Sequence, residues 1–135
     1  MTGQPSKPNI VVIVEDDADL RGLMASLIEE IQLEVIECES AEAALAVMLL
    51  RGREIAVVLS DIQLPGAMDG VDFAREAKLR WPHLPFVLTS GNTGTRLDKL
   101  PLGVTYVPKP WKGEQILAIV ETARSLTERR SRYGR

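Results

Sequence analysis

The chain has 135 residues, of which 45% are hydrophobic and 26% are charged, and its formal net charge is −3. This composition excludes an intrinsically disordered chain, which has low hydrophobicity and high net charge, and argues against a strongly basic nucleic-acid-binding domain. The apolar runs all fall short of the roughly 20 residues that a membrane-spanning helix needs. The single cysteine, Cys38, excludes an internal disulfide bond and is typical of a reducing compartment such as the cytoplasm.

Short apolar runs alternate with helical patterns along the chain. Residues 1–8 are polar and predict a flexible lead. Continuous apolar runs predict strands over 9–14, 33–38, 55–60, 85–90 and 104–107. Apolar residues that recur every three or four positions predict helices over 20–31, 41–51, 70–81 and 113–130. This alternation indicates an α/β domain with a parallel sheet over residues 9–127.

The end of the chain, residues 128–135, is basic, and the last twelve residues carry five arginines against one acid. We interpret this tail as the solvated end of the last helix. A tail that binds a partner protein or a nucleic acid is the less favoured alternative.

In a parallel α/β sheet, ligands and reactive groups collect at the carboxyl ends of the strands. The polar residues expected at this edge are, in chain order, Glu15, Asp16, Asp17, Asp61, Thr89, Ser90 and Lys109. Carboxylates held close together repel one another and need a cation, and hard oxygen ligands that leave room for water favour Mg²⁺. We expect Asp17, the third acid of its run, to cap the first helix rather than to bind the metal.

The same edge favours phosphoryl transfer. Asp61 beside a magnesium ion and Lys109 would be a carboxylate nucleophile facing positive charge, which is what transfer of a phosphoryl group requires. Ser90 could donate a hydrogen bond to the phosphoryl group. Alternation along a strand lets only one of Thr89 and Ser90 face the site, and we favour Ser90 because Gly91 after it leaves room.

Four segments resemble the receiver domain of two-component response regulators. They are "VVIVEDDADLR", "LSDIQLPGAMDG", "VLTSG" and "YVPKPW", each at its expected strand end, and the resemblance covers about residues 10–126. It implies a flavodoxin-like, doubly wound sheet of five parallel strands in the order 2-1-3-4-5.

The resemblance also implies a role for individual residues. Asp61 would be the phosphoacceptor, and Lys109 would contact the phosphoryl group. Ser90 and Tyr106 would act as the conformational switch. The magnesium ligands would be Glu15, Asp16, Asp61 and the backbone carbonyl of Gln63. Gln63 and Asn92 would flank the path of the hydrolytic water and tune dephosphorylation. The Lys109–Pro110 peptide bond is expected to be cis.

Three features depart from the pattern of the receiver family. The turn "LPGAMDG" is one residue longer than usual. Residues 91–103 contain Gly94 and Pro101 where receivers have their fourth helix, so we expect that helix to be missing or vestigial. Pro108 lacks a backbone donor, which a strand tolerates at the edge of a sheet or at its end.

The resemblance implies a single-domain phosphoacceptor signalling module rather than an enzyme, with only self-phosphorylation and autodephosphorylation as its own chemistry. Its partners would be a histidine kinase or a histidine phosphotransfer protein, and an output protein of unknown identity. We expect no DNA-binding domain after the last helix and no membrane segment. A homodimer, and a receiver cut from a larger hybrid kinase, are left open.

Other classes of protein fit the residues less well. A phosphohydrolase of the haloacid-dehalogenase type places a second aspartate two residues after its nucleophile, whereas Gln63 stands there and cannot transfer a proton. A flavodoxin needs a first loop that donates hydrogen bonds to a phosphate, and "EDDAD" would repel one. A degenerate receiver is disfavoured because every charged element is present.

Overall fold

Strands and helices alternate through residues 7–91 and 97–133, which the computed structural model describes. The strands are β1 (Ile10–Val14), β2 (Glu34–Cys38), β3 (Ile55–Asp61), β4 (Phe86–Ser90) and β5 (Val104–Pro108). The α-helices are α1 (Ala18–Glu29), α2 (Ala41–Arg51), α3 (Gly70–Arg80) and α4 (Gly113–Tyr133), and two 3₁₀ turns span Gly52–Glu54 and Leu97–Lys99. The predicted alternation is therefore confirmed.

All neighbouring strands of the sheet are parallel, and their order is β2-β1-β3-β4-β5. This is the flavodoxin-like order that the resemblance implies, so the predicted fold class is confirmed. The edge position of β5 also accommodates Pro108, whose missing N–H takes no hydrogen bond away from a further strand.

The sheet is buried on both faces by two groups of helices. One face packs against α2 and α3, and the other packs against α1 and α4. Alternate residues of the central strands serve the two cores: Val12 and Val58 pack on the first face, while Ile13 and Leu59 pack on the second. The continuous apolar runs in the sequence reflect this burial on both sides.

Side-chain caps fix the points at which three of the helices begin. Asp17 accepts hydrogen bonds from two backbone N–H groups in the first turn of α1, at 3.0 and 3.1 Å. Ser40 caps α2 in the same way, and Asp69 forms a reciprocal capping box with Asp72 at the start of α3. Asp17 therefore acts as the helix cap that the sequence predicts.

The ends of some elements differ from the predicted ones by a few residues. β3 runs one residue further than predicted and takes in Asp61, while Ile31 lies beyond the end of α1 at Glu29. α4 continues to Tyr133, past residue 128, where we expect the basic tail to begin. Although α4 has 21 residues, it is rich in charge, and no helix in the described parts of the chain is apolar enough at sufficient length to cross a bilayer.

The segment between β4 and β5 bears on the predicted loss of the fourth receiver helix. Residues 92–96, which make up much of this segment, lie outside the described residues. The part that follows contains the 3₁₀ turn Leu97–Lys99, and Arg75 Nη2 donates to the Lys99 carbonyl at 3.2 Å. The absence of a full helix between these strands stays a prediction.

Thr127 ties α4 to the start of β3. Its hydroxyl lies 2.8 Å from the fully buried carbonyl of Ala56, to which it can donate, and 3.0 Å from the carbonyl of Ala123. Ala56 lies where the register between β1 and β3 shifts. We expect Thr127→Val to lower the free energy of unfolding by about 1–2 kcal/mol, because it leaves a buried carbonyl without its donor.

Urea unfolding followed by circular dichroism measures this loss. Thr127→Ser is the matched control, because it keeps the hydroxyl and should retain most of the stability. A valine variant as stable as the wild-type protein would show that the hydroxyl contributes nothing.

Candidate functional site

Three charged side chains from different strand ends meet at the carboxyl edge of the sheet. Lys109 Nζ lies 3.1 Å from Asp61 Oδ2 and 3.3 Å from Glu15 Oε1. Both carboxylates are buried, with only 6% of Asp61 and 3% of Glu15 exposed. The strand order explains the meeting: β1 and β3 are neighbours, and Lys109, just after β5, reaches across the end of β4. The lysine supplies the positive charge that two buried acids require.

The surroundings of this cluster shift the pKa values of Glu15 and Lys109. Burial raises the pKa of Glu15 and repulsion from Asp61 adds to the rise, although the Asp17 N–H and Lys109 act in the opposite direction. Burial by itself would lower the pKa of Lys109, but the carboxylates of Asp61 and Glu15 outweigh it, and that pKa is raised. Lys109 therefore keeps its positive charge at neutral pH.

Each buried carboxylate is held from two directions. Lys109 contacts one oxygen of each, and a backbone N–H group donates to the other oxygen. The Gln63 N–H donates to Asp61 Oδ1 at 3.2 Å, and the Asp17 N–H donates to Glu15 Oε2 at 3.1 Å. The turns that follow β1 and β3 thus orient the acids, which is the kind of preorganisation that a reactive site needs.

Asp16 adds a third carboxylate on the solvent side of the cluster. One oxygen from each of Glu15, Asp16 and Asp61 lies within 4.8 Å of the other two. Asp16 is exposed while its two neighbours are buried, so the cluster opens to water on one side. Three carboxylates with access to solvent fit a hard divalent cation that keeps part of its water shell, as Mg²⁺ does. The residues present therefore fit the predicted metal.

The two hydroxyl residues at the end of β4 have different surroundings. Trp111 Nε1 donates to Thr89 Oγ1 at 3.2 Å, and Ser90, one residue later, points to the opposite face of the strand. The Ser90 carbonyl accepts from the Lys109 N–H at 3.0 Å and lies 3.4 Å from the hydroxyl of Tyr106. The Thr89 hydroxyl is thus engaged by Trp111, and the choice of Ser90 as the switch hydroxyl stays a prediction.

Of the two residues predicted to tune dephosphorylation, the structure describes only Gln63. Gln63 lies beside Asp61 with its side chain exposed, whereas Asn92 lies outside the described residues. The Lys109–Pro110 peptide bond is cis, as the resemblance implies.

Arg21 has a place in the site that the sequence analysis missed. Its Nη1 donates to the Glu15 carbonyl at 2.7 Å, and its Nε pairs with Glu37 Oε1 at 3.2 Å. Arg21 thus fixes the turn after β1 to β2. The sequence does not predict this contact, because an arginine in the polar face of an amphipathic helix usually faces solvent. Which strand lies beside the helix is known only from the fold.

Gly70 packs directly against the backbone of the phosphoacceptor candidate. A Cβ atom at this position would lie 2.2 Å from the Asp61 carbonyl oxygen and 2.6 Å from the Ile62 Cα. The Gly70 N–H donates to the Ile62 carbonyl at 2.6 Å. The start of α3 therefore approaches the end of β3 so closely that only glycine fits.

A parallel five-stranded sheet with two buried acids and a lysine at its carboxyl edge has the fold and the charged cluster that the resemblance to receiver domains implies. The chain belongs to the response regulator receiver domain family, because the family model described as "Response regulator receiver domain" matches residues 11–121. The matched segment contains the carboxyl ends of all five strands and Lys109, just after the fifth.

Individual relatives agree with this assignment. The chain is 33% identical to the response regulator protein FleR of Pseudomonas aeruginosa, over 82% of this chain and 23% of FleR. It is 30% identical to protein PetR of Rhodobacter capsulatus, over 83% of this chain and 47% of PetR. The crystal structure of the receiver domain of NtrX from Brucella abortus is 28% identical with a TM-score of 0.75, covering 85% of this chain and 98% of that domain.

The chain spans about a quarter of the length of the first curated relatives it matches, including the hydrogenase transcriptional regulatory protein HoxA of Cupriavidus necator. The similarity to these proteins is therefore confined to their receiver part.

Proposed function

We propose that Asp61 accepts a phosphoryl group from a phosphohistidine on a histidine kinase or a histidine phosphotransfer protein. The observation that carries this proposal is the buried Asp61 carboxylate, 3.1 Å from Lys109 Nζ at the edge of the sheet that opens to solvent. A bond forms between an Asp61 oxygen and phosphorus while the phosphorus–nitrogen bond of the donor breaks, and the leaving imidazole keeps the electron pair. The chain contributes the nucleophile, its positioning and compensating charge.

Lys109 is placed to compensate the negative charge that the phosphoryl group brings to Asp61. It lies between the Asp61 and Glu15 carboxylates, so its ammonium group can bind a phosphoryl oxygen on Asp61 without leaving the cluster. The phosphoryl group brings a charge of about −2 to a site that already holds several acids. The positive charge of Lys109 offsets part of this repulsion.

Glu15, Asp16, Asp61 and the backbone carbonyl of Gln63 would hold a magnesium ion. When bound, the ion supplies positive charge that stabilises the phosphoryl oxygens during transfer. The protein keeps the ligand oxygens close together at the end of the sheet, with the Asp17 and Gln63 N–H groups fixing the two buried carboxylates.

Ser90, Tyr106 and Lys109 would convert phosphorylation into a change of shape. The Ser90 carbonyl accepts from the Lys109 N–H and lies 3.4 Å from the Tyr106 hydroxyl, so movement of Ser90 toward a phosphoryl group would displace both neighbours. We infer that phosphorylation shifts the population between two conformations. An output protein, or a second copy of the chain, would bind one of these conformations in preference to the other. Gln63 and Asn92 would tune the lifetime of the phosphorylated form.

The proposed setting is the cytoplasm, where the donor kinases present their phosphohistidine and where the single Cys38 stays reduced. A phosphohydrolase with an aspartate nucleophile is not supported, because Gln63 lacks the proton-transfer chemistry of the second aspartate, and the family match is to receivers. Self-phosphorylation and autodephosphorylation are then the only reactions proposed for the chain itself.

A small phosphodonor tests the proposal directly. Incubation with acetyl phosphate and Mg²⁺ should add the mass of one phosphoryl group to the intact protein, because the acceptor and its metal ligands are preassembled. Chelation of the metal with EDTA should reduce the uptake strongly, since the phosphoryl oxygens then lose the positive charge that stabilises them. Intact-protein mass spectrometry measures both. Equal uptake with and without metal would contradict the role given to the acidic cluster.

A further inference from the structure

Glu42, in the first turn of α2, contacts the loop that follows the phosphoacceptor candidate. Its Oε2 accepts hydrogen bonds from the backbone N–H of Ala67 at 3.1 Å and from that of Met68 at 3.2 Å. These N–H groups belong to the turn "LPGAMDG", which we expect to be one residue longer than in most receivers. The contact therefore joins α2 to the turn that follows Asp61.

Gly66 makes this contact sterically possible. Its φ is +95°, a conformation that L side chains rarely adopt, and a Cβ atom there would lie 2.7 Å from Glu42 Oε1. The carboxylate occupies the space that a side chain at position 66 would fill. The extra loop residue, the glycine and Glu42 thus form one interlocked arrangement.

The ends of the loop are fixed separately. At its start the Gln63 N–H donates to Asp61 Oδ1, and near its end the Gly70 N–H donates to the Ile62 carbonyl. Met68 packs partly buried against the core beneath α2 and α3. Glu42 holds the middle of the loop, between these two fixed points.

We propose that Glu42 is a positioning residue for phosphoryl transfer. Its carboxylate holds the enlarged loop in the shape that keeps the Gln63 N–H on the Asp61 carboxylate, and it thereby sets the rate at which Asp61 is loaded. This inference rests on the function proposed above for Asp61. Small displacements of a reacting group lower rates strongly, so a loop held at its middle gives faster loading than one held only at its ends.

A different explanation is that Glu42 serves only α2, as an acid near the positive end of the helix dipole. The two explanations make opposite predictions for Glu42→Gln. This variant loses the charge but keeps a side-chain oxygen that can accept from both N–H groups, whereas Glu42→Ala loses both.

The experiment measures the rate of loading by acetyl phosphate with Mg²⁺, together with amide hydrogen exchange at Ala67 and Met68. We expect Glu42→Ala to load about three- to ten-fold more slowly than wild type and to exchange both amides faster. Glu42→Gln should stay close to wild type in both measurements. Glu39→Ala, which removes an exposed acid three residues away, is the control for loss of charge near α2.

Each outcome decides the proposal. Unchanged loading in Glu42→Ala would overturn it, even if the two amides exchanged faster, because the contact would then be structural only. A glutamine variant as slow as the alanine variant would also overturn it in favour of the helix dipole. If the wild-type protein takes up no phosphoryl group at all, the function proposed for Asp61 fails, and amide exchange still shows separately whether Glu42 holds the loop.

Discussion

Asp61→Asn is expected to reduce phosphoryl uptake to background. The substitution keeps the size and shape of the side chain, but a carboxamide lacks the anionic oxygen that attacks phosphorus. The fold should persist, because Lys109 retains its ion pair with Glu15, and the new amide can still accept from the Gln63 N–H. Intact mass after incubation with acetyl phosphate and Mg²⁺ measures the loss of uptake, and circular dichroism of the same variant measures separately whether the fold persists.

Asp19→Asn is the matched control for this prediction. Asp19 is an exposed acid in the first turn of α1, so the same chemical change occurs near the site without touching the cluster. Its uptake should equal that of the wild-type protein. Uptake by Asp61→Asn at the wild-type rate would mean that another residue is the nucleophile.

Gly70→Ala is expected to have the largest effect on stability. The added methyl group would lie 2.2 Å from the Asp61 carbonyl oxygen and 2.6 Å from the Ile62 Cα, and both are backbone atoms that cannot rotate away. Overpacking of this kind costs about 3 kcal/mol when the neighbours cannot move. The variant should unfold at clearly lower urea concentration, and, if it folds, it should load Asp61 more slowly because the end of β3 is displaced.

Gly22→Ala provides the opposite control. Gly22 lies in α1, where a Cβ atom would meet nothing within 4 Å. Alanine favours the helix over glycine, so this variant should gain about 0.5–1 kcal/mol in the free energy of unfolding. A Gly70→Ala variant as stable as the wild-type protein would contradict the claim that α3 approaches β3 too closely for a side chain at position 70.

The meeting of Asp61, Glu15 and Lys109 could be predicted from the sequence because each stands at or just after the end of an apolar run. Parallel strands place their carboxyl ends at one edge, so three local patterns suffice to bring together residues as far as 94 positions apart. The N-cap role of Asp17 was equally local and is confirmed. Where a site is built from the carboxyl ends of parallel strands, the alternation of strands and helices in the sequence is enough to predict which residues meet there.

Contacts between side chains on different elements could not be predicted in this way. Glu42 meets a loop 25 residues away, Arg21 meets a strand 16 residues away, and Thr127 meets a carbonyl 71 residues away. All three are polar residues in helices, where the sequence pattern indicates only a solvated face. The turn "LPGAMDG" is expected from the sequence to be longer than in other receivers, but its contact with Glu42 is known only from the packing of α2 beside the loop.

The most direct test of the account is to identify the residue that carries the phosphoryl group. Reduction of the loaded protein with borohydride converts an acyl phosphate to an alcohol, so peptide mass spectrometry can locate the modified acid. The account predicts homoserine at position 61 in the wild-type protein, and none without phosphodonor. Modification at Asp16 or Glu15, or a stable phosphoryl group on another side chain with position 61 unchanged, would contradict it.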